Sequence, residues 1–380
     1  MNLALSDEQV FLREAARGAL SRFKTLEAAR EALENEGALP DLWPTACEAG
    51  WPGLLIDEQH GGAGLDAFDA MLVLSECGRV IAGIALLGHL PATAILNDSP
   101  GGSPVLADLA SGERRAAYLP VSPPNDLGEG WTADPAHGAR RAPAPTATAA
   151  GDGVSVSVSG ELAFVPDAPG ADVLVGVAIL DGRPVGVCID ASADGVTVER
   201  VTRYDATRSL GHVSLKDAPA TLLDAPEEAL AGAWYLAQSL LAAESLGSVE
   251  VALDVSVEYA KERHTFGRAI GSYQAVKHGL TEVLRQLENG RSLLYYAGWA
   301  RDGAPGEFPL AASAARSVAG RALDEASRTM ISVHGGIGAT WEHDAPLFFR
   351  RAQLSRRLLG GTGLATDRVA GELFLQADAA

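Results

Sequence analysis

Ser256–His278 reads SVEYAKERHTFGRAIGSYQAVKH, and this stretch decides the fold. Upstream of it, Leu240, Leu241, Leu246, Val249, Ala252, Leu253, Val257 and Ala260 recur mostly at three- and four-residue spacings. That spacing predicts a long helix with one apolar stripe. The helix ends in the charged run Lys261, Glu262, Arg263 and His264, and Phe266-Gly267 supplies a turn. A second long helix is expected from about Ser272, with Gln274, Lys277 and His278 in its first two turns. Two long helices joined by a basic corner and a glycine turn are the skeleton of a helical bundle with an anion site at one end.

A chain of 380 residues allows two or three domains with their own cores. Apolar residues make up 47% and aromatics 6%, with alanine dominant, which points to a helix-rich soluble protein. A formal charge of -19 argues against a nucleic-acid binder. Cys47, Cys77 and Cys188 lie far apart without metal-ligand spacing, so they read as reduced, structural thiols. Acidic residues appear by position 7, and no apolar run approaches the ~18 residues of a span. A cytoplasmic protein without a membrane span is therefore the expectation.

In chain order, Ser6-Asp7-Glu8-Gln9 is a capping box that opens a helix to about Phe23. A second helix is expected from near Thr25 until Glu36-Gly37, and a short one from Trp43 to Glu48. Gly61, Gly62 and Gly64 make a turn into a helix carrying Met71, Leu74, Ser75, Glu76 and Val80, with further helices through Leu86–Ile95 and Val105–Leu109. From about 115 to 225 the pattern changes. Val154, Val156 and Val158 alternate with serines, and Val173, Val175, Val177, Val185 and Val187 fall in short runs broken by Gly, Asp and Pro. These are half-buried strands. Ser122–Gly128 and His137–Gly151 read as loops. Helices return at 226–262, 272–301, 310–333, 344–357 and 361–375. The fold class is α+β: a helical domain over 1–113, a β domain over 114–225 and a helical bundle over 226–380.

The pattern YxxxRxxFG-x-x-I-x-x-x-Q across Tyr259–Gln274, with HGGIG at His334–Gly338, resembles the acyl-CoA dehydrogenase family of flavoproteins. The resemblance covers nearly the whole chain and implies that family's layout, with a C-terminal four-helix bundle. It implies FAD as cofactor, an acyl-CoA substrate and an electron-transfer flavoprotein as acceptor. In the family the bundle of one subunit serves the adenine and pyrophosphate of FAD held by a partner. The matching residues are Arg263, Thr265, Phe266, Gln274, Gly335, Gly336 and Gly338, with Ser332 where the family usually has a glutamine. The residue types suit that role. Arginine offers a fixed fork of donors, and glycines and helix N-termini let backbone amides approach an anion. Equally, Arg263 could cap its own helix and the glycines could merely stop one.

The resemblance fails elsewhere. The family's flavin loop, (Y/C)-x-(T/S)-E-P-x-x-G-S-D, is replaced by AAYLPVSPPNDLG, where Tyr118, Ser122 and Asn125 are the remaining polar candidates. A second element becomes ELAFVPD, in which Phe164 and Val165 could pack on the flavin ring. The family's glutamate base, which takes the α-proton while hydride leaves Cβ, occupies one of two positions. Here those are Gly360 and Ala237, and neither is an acid. Glu244 is the remaining candidate: seven residues beyond Ala237, it interrupts the small, apolar run LLAAESLG. The competing reading of Glu244 is a buried acid paired to an arginine of a neighbouring helix. Glu342 and Asp205 read as structural pairs or turn caps, and Asp344 as a helix cap. Three functions stay open: a base-less subunit of a heterotetrameric, steroid side-chain type acyl-CoA dehydrogenase; a homo-oligomer using Glu244 or another base; or a non-catalytic acyl-CoA-binding or assembly protein.

Overall fold

The structure is a computed structural model that describes residues 4–99, 104–123, 132–133 and 141–378. The capping box at its start forms as the residue types dictate. Ser6 accepts from the Gln9 amide and Gln9 returns the bond to the Ser6 amide. The helices of the first part are α1 (Asp7–Leu20), α2 (Thr25–Glu31), α3 (Trp43–Glu48), α4 (Ala67–Arg79), α5 (Leu86–Asn97) and α6 (Leu106–Ser111). Two ends differ from the sequence expectation. α1 stops at Leu20, and α2 stops at Glu31 because Asn35 caps a separate 3-10 turn, Glu36–Ala38, through the Gly37 amide.

The middle of the chain holds β1 (Ala116–Leu119), β2 (Thr132–Ala133), β3 (Arg141–Ala142), β4 (Thr146–Ala149), β5 (Ser155–Pro166), β6 (Val173–Leu180), β7 (Arg183–Asp190), β8 (Val196–Arg200) and β9 (Leu210–Leu223). The pairings β6–β4, β4–β5, β5–β9, β9–β7 and β7–β6 close a ring, with β1 added parallel to β6 and β8 added to β9. Val156, Val158, Val173, Val175 and Val187 fill its interior, as alternation requires. β5 carries two register shifts, at Val158/Gly160 and Leu162/Val165, and the second holds Phe164 at φ 56°.

Beyond β9 the chain is helical: α7 (Glu227–Glu262), α8 (Gln274–Gly303), α9 (Phe308–His334), α10 (Ala345–Ser355) and α11 (Gly361–Asp378). A small hairpin, β10 (His264–Thr265) with β11 (Arg268–Ala269), joins α7 to α8. α9 packs against α7, α8, α10 and α11, and α7 also packs on α4 and α5 of the first part. Glycines set the α4–α7 crossing. A Cβ on Gly78 would fall 1.9 Å from the Glu244 carbonyl oxygen, and one on Gly247 would fall 1.9 Å from that of Ser75. The crossing thereby seals the middle of α7 into the core. The three thiols are unpaired, and no helix among the described residues is long and apolar enough to cross a membrane.

Candidate functional site

At one end of the bundle, the corner after α7 leaves its polar groups unspent. The last turn of α7 is closed by the Arg263 backbone, whose amide donates to the Tyr259 carbonyl. The Arg263 guanidinium is exposed and makes no hydrogen bond or ion pair to the described residues. It does not cap its own helix. Phe266 (φ 52°) and Gly267 (φ 81°) form the two-residue tip of the hairpin, a geometry that demands left-handed backbone at both positions. The Phe266 ring is 97% exposed. An apolar ring held outward on a left-handed residue has no intramolecular purpose.

The hairpin is braced from behind. The Ile270 amide donates to the Arg263 carbonyl, the Tyr273 hydroxyl to the Thr265 carbonyl, and the Arg268 guanidinium lies 4.0 Å over the Tyr273 ring. α8 opens at Gln274 without a side-chain cap, so its first amides face outward with the positive end of the helix dipole. The end of α9 joins this corner through stacked rings: Tyr259 of α7 lies 4.3 Å from His334, the last residue of α9. Ser332, Gly335 and Gly336 are exposed beside it. Gly338 is buried, and a Cβ there would sit 2.7 Å from the Ile331 carbonyl oxygen. A concavity of about 500 Å³ opens next to the corner, lined by Val257, Ala260, Lys261, Lys277 and Leu280 among others. The structure therefore gathers the residues that the sequence assigned to nucleotide binding.

The two base positions also meet, with Ala237 buried and Gly360 exposed. Ala237 is buried in α7, and its neighbour Gln238 donates from Nε2 to the Leu359 carbonyl at 2.6 Å. Leu359, Gly360 and Gly361 are three successive left-handed residues (φ 52°, 80° and 78°). A Cβ at Gly360 would lie 2.6 Å from Leu364 Cδ2 and 3.4 Å from the Trp234 ring. Leu364 and Trp234 thus line the side that a Gly360 side chain would enter.

Glu244 is placed elsewhere, in a buried ion network. Its Oε2 accepts from Arg208 Nη2 at 2.5 Å, and its Oε1 from Arg351 Nη1 at 2.5 Å. Arg351 also donates to Asp205 Oδ2 at 2.7 Å and to the Thr207 hydroxyl. Asp205 closes the turn by accepting from the Thr207 amide and hydroxyl. Burial alone would push Asp205 up, but Arg351 and Arg208 outweigh it and hold its carboxyl below the usual carboxylate range. This is the arginine pairing that sequence left open, with one guanidinium on each Glu244 oxygen. Arg316 of α9 lies beside the same turn, donating to the Ser355 and Leu358 carbonyls. Its Nε and Nη1 are buried without hydrogen bonds, and burial, then Arg208, push its guanidinium down to about 10.

In the β part, Tyr118 and Ser122 are buried, and Asn125 lies outside the described residues. Val165 is fully buried within β5, so it presents no face to a ring. Phe164 is already engaged: the Arg203 guanidinium lies 4.5 Å over its ring, and His212 meets it edge-on at 4.9 Å. Both departures come from the register shift, which no spacing rule anticipates. Asp167, two residues beyond Val165, accepts from the Gly88 amide at 2.8 Å and so caps α5 from another part of the chain. Burial pushes its carboxyl up to about 6, against the pull of the Gly88 amide and of Arg208.

Sequence reasoning missed Arg203, Trp234, Arg316, His334, Arg351 and Leu364. Two of these carried a signal. Arg351 falls on the Leu347, Phe348, Ala352, Leu354 face of α10, and Arg316 on the Ala312, Ala315, Ala319, Leu323 stripe of α9. A charge on an apolar stripe marks a buried pair or donor.

A helical domain, a β domain and a bundle with an open, donor-rich corner define the scaffold of a flavoprotein dehydrogenase. The sequence profile described as acyl-CoA dehydrogenase, N-terminal domain, matches residues 6–121, and that of the C-terminal domain matches 236–374. Acyl-CoA dehydrogenase IpdE2 of Mycolicibacterium smegmatis is 30% identical over 97% of this chain and 100% of its own length. Acyl-CoA dehydrogenase FadE34 of Mycobacterium tuberculosis is 31% identical over 97% of this chain, which spans 48% of that protein. Among solved structures, the Tcur3481-Tcur3483 steroid ACAD G363A variant superposes with a TM-score of 0.84 at 29% identity, covering 98% of this chain and 99% of that one. The chain belongs to the acyl-CoA dehydrogenase family. The family's cofactor is FAD, and the corner fits it: an unspent guanidinium, uncapped helix amides and glycines suit a pyrophosphate. The β part of this chain fits the flavin ring poorly, since Phe164 and Val165 are both occupied.

Proposed function

We propose that this chain is the base-less subunit of a two-chain, FAD-dependent acyl-CoA dehydrogenase, lending its corner to the flavin of a catalytic partner. The observation that carries the reading is the length of α7. Ala237 lies within one continuous helix, and Arg263, 26 residues on, is the cap that ends it. At 1.5 Å per residue that is about 39 Å, longer than a dinucleotide. One flavin therefore cannot use the corner and the base position of the same chain. The corner serves a flavin whose base comes from another chain, and no copy of this chain has an acid to give at Ala237 or Gly360.

FAD, when bound, takes the hydride that leaves the β-carbon of the thioester. Arg263, Thr265, Gln274 and the amides around Gly335-Gly336 would hold its pyrophosphate and adenine, with Phe266 and Ser332 at the rim. Glu244 is a structural acid in this reading. Domains over 1–113, 114–225 and 226–380, a cytoplasmic location and an electron-transfer flavoprotein as acceptor complete it. The likeness to a steroid dehydrogenase that carries a paired name favours a heteromer acting on a bulky CoA thioester. The test is flavin content per protomer, measured on the purified chain alone and co-expressed with any homologous chain encoded beside it. Flavin only with the partner, at one per pair of chains, is the expected result. Stoichiometric FAD with turnover in the chain alone would overturn it in favour of a homo-oligomer.

A further inference from the structure

The end of α9 and the start of α10 are linked by a row of tilted ring contacts that the ion network does not explain. Tyr259 of α7 lies on His334 at 4.3 Å, with 30° between the planes, and His334 lies on His343 at 4.1 Å and 44°. His334 immediately precedes Gly335-Gly336, and its Nδ1 bonds the Met330 carbonyl at 2.8 Å. His343 does what sequence assigned to Asp344: its Nδ1 accepts from the Ala345 amide at 3.0 Å and caps α10. Asp344 makes no cap bond and instead accepts from Arg30 of α2 at 2.8 Å.

An imidazole can accept at Nδ1 only while that nitrogen is unprotonated. Protonated His343 would set an N–H against the Ala345 N–H and place a cation at a helix N-terminus, where the dipole disfavours it. It would also be a cation stacked on a second imidazole. We infer that His334 and His343 are positioning residues that hold the Gly335-Gly336 turn against the basic end of α7, and that they do so only while His343 is neutral. The groups facing His343 are His334 from α9, Arg30 from α2 and Asp344 beside it, with Tyr259 beyond His334. Burial, then His334, lower the affinity of His343 for a proton, Asp344 opposes them, and Arg30 adds to the lowering. A histidine whose pKa is depressed on folding resists protonation, so its contribution is complete above the ordinary imidazole range. It is lost as pH falls through the folded value.

The inference rests on the corner being a nucleotide site, and the test separates the two. FAD affinity is measured by flavin fluorescence on the full chain co-purified with its partner, at pH 7.5 and 5.5, for wild type, His343→Asn and His343→Ala. An asparagine can accept the amide two residues on but does not titrate. Wild type is expected to weaken between the two pH values by up to about fivefold, the size of one helix cap. His343→Asn should stay level across that range, and His343→Ala should be weak at both. His343→Asn following the wild-type pH profile, or His343→Ala binding like wild type, overturns the inference. Amide hydrogen exchange at Ala345 and Gly335–Gly338 gives a readout that needs no flavin. Protection should fall at pH 5.5 in wild type but not in His343→Asn. Failure to bind FAD at any pH, with that exchange pattern present, refutes the nucleotide reading and leaves the stack standing. Equal exchange in both proteins refutes the stack.

Discussion

Replacing Glu244 by glutamine decides between its two roles. In the structure its carboxylate takes one guanidinium on each oxygen, Arg208 and Arg351, and all three side chains are almost fully buried. Glutamine can accept with one oxygen only, and its amide nitrogen would face a guanidinium. Removing one partner of a buried pair and leaving the other charges uncompensated costs about 3–5 kcal/mol. Arg316 adds to the cost, because Glu244 is the group that raises its proton affinity against burial and Arg208. For a large chain that cost corresponds to a fall in Tm on the order of 5–10 °C. The assay is thermal unfolding followed by circular dichroism, beside the control Glu250→Gln, whose pairs with Arg79 and Arg291 are less buried. The control should lose roughly 1 kcal/mol. A Glu244→Gln protein that melts within about 1 °C of wild type, keeps its flavin and loses turnover would refute the structural assignment and reinstate Glu244 as the base.

Three further outcomes follow from the geometry. Asp167→Asn keeps an acceptor for the Gly88 amide but removes a charge that burial disfavours. Because the folded pKa, about 6, lies above the ordinary carboxylate value, the wild type carries this cost above pH 6 and sheds it as pH falls toward 4. The variant should therefore melt higher than wild type at pH 7.5, by up to about 3 kcal/mol, with the gap closing by pH 4.5; an equal gap at both pH values would contradict the assignment. Gly360→Glu should not restore turnover to the isolated chain, because it places a side chain on left-handed backbone against Leu364. It should cost about 1–2 kcal/mol in a thermal melt, part of it recovered by adding Leu364→Ala. Arg263→Ala should leave the melt of the isolated chain unchanged, since its guanidinium holds nothing within the chain. In the complex it should weaken FAD at least tenfold, the loss of about 1.4 kcal/mol of charge-assisted hydrogen bonding.

The helices were legible because their signals are local. The Ser6–Gln9 box, the long helix α7 and the turn at Phe266-Gly267 each need only a few neighbouring residues, and each formed where expected, although α7 is buried on every face from Ala233 to Val249 and not along one stripe. The shape of the corner was legible for the same reason: Arg263 to Gln274 is one continuous stretch, and only the joining of α9 through Tyr259 and His334 is tertiary. Register shifts in β5 were not legible, so Phe164 and Val165 read as available when Arg203 and the core already hold them. Glu244 could be read as a buried acid paired to an arginine, but not to which one, because Arg208 and Arg351 reach it across 36 and 107 residues of chain. Asp344 does occupy the N-cap position of α10, but its side chain makes no cap bond, for a simpler reason. Arg30 offered its carboxylate a charged partner, and the neighbouring imidazole took over the amide.

The two ends of α7 differ in a way that bears on assembly. At the C-terminal end, donors are exposed and unpaired, which in a folded chain is stable only because water, or a ligand, satisfies them. At the N-terminal end, Gln238 is tied to Leu359, and Trp234 and Leu364 occupy the space around Gly360. Those contacts commit that end of α7 to structure, because any side chain at Gly360 would have to displace Leu364. On the proposed reading, two copies of such a chain lend each other a corner but no acid at Ala237 or Gly360. An oligomer that turns over an acyl-CoA then takes its carboxylate from a second kind of chain, whereas a homo-oligomer would need Glu244 freed from both arginines or a base outside the two positions.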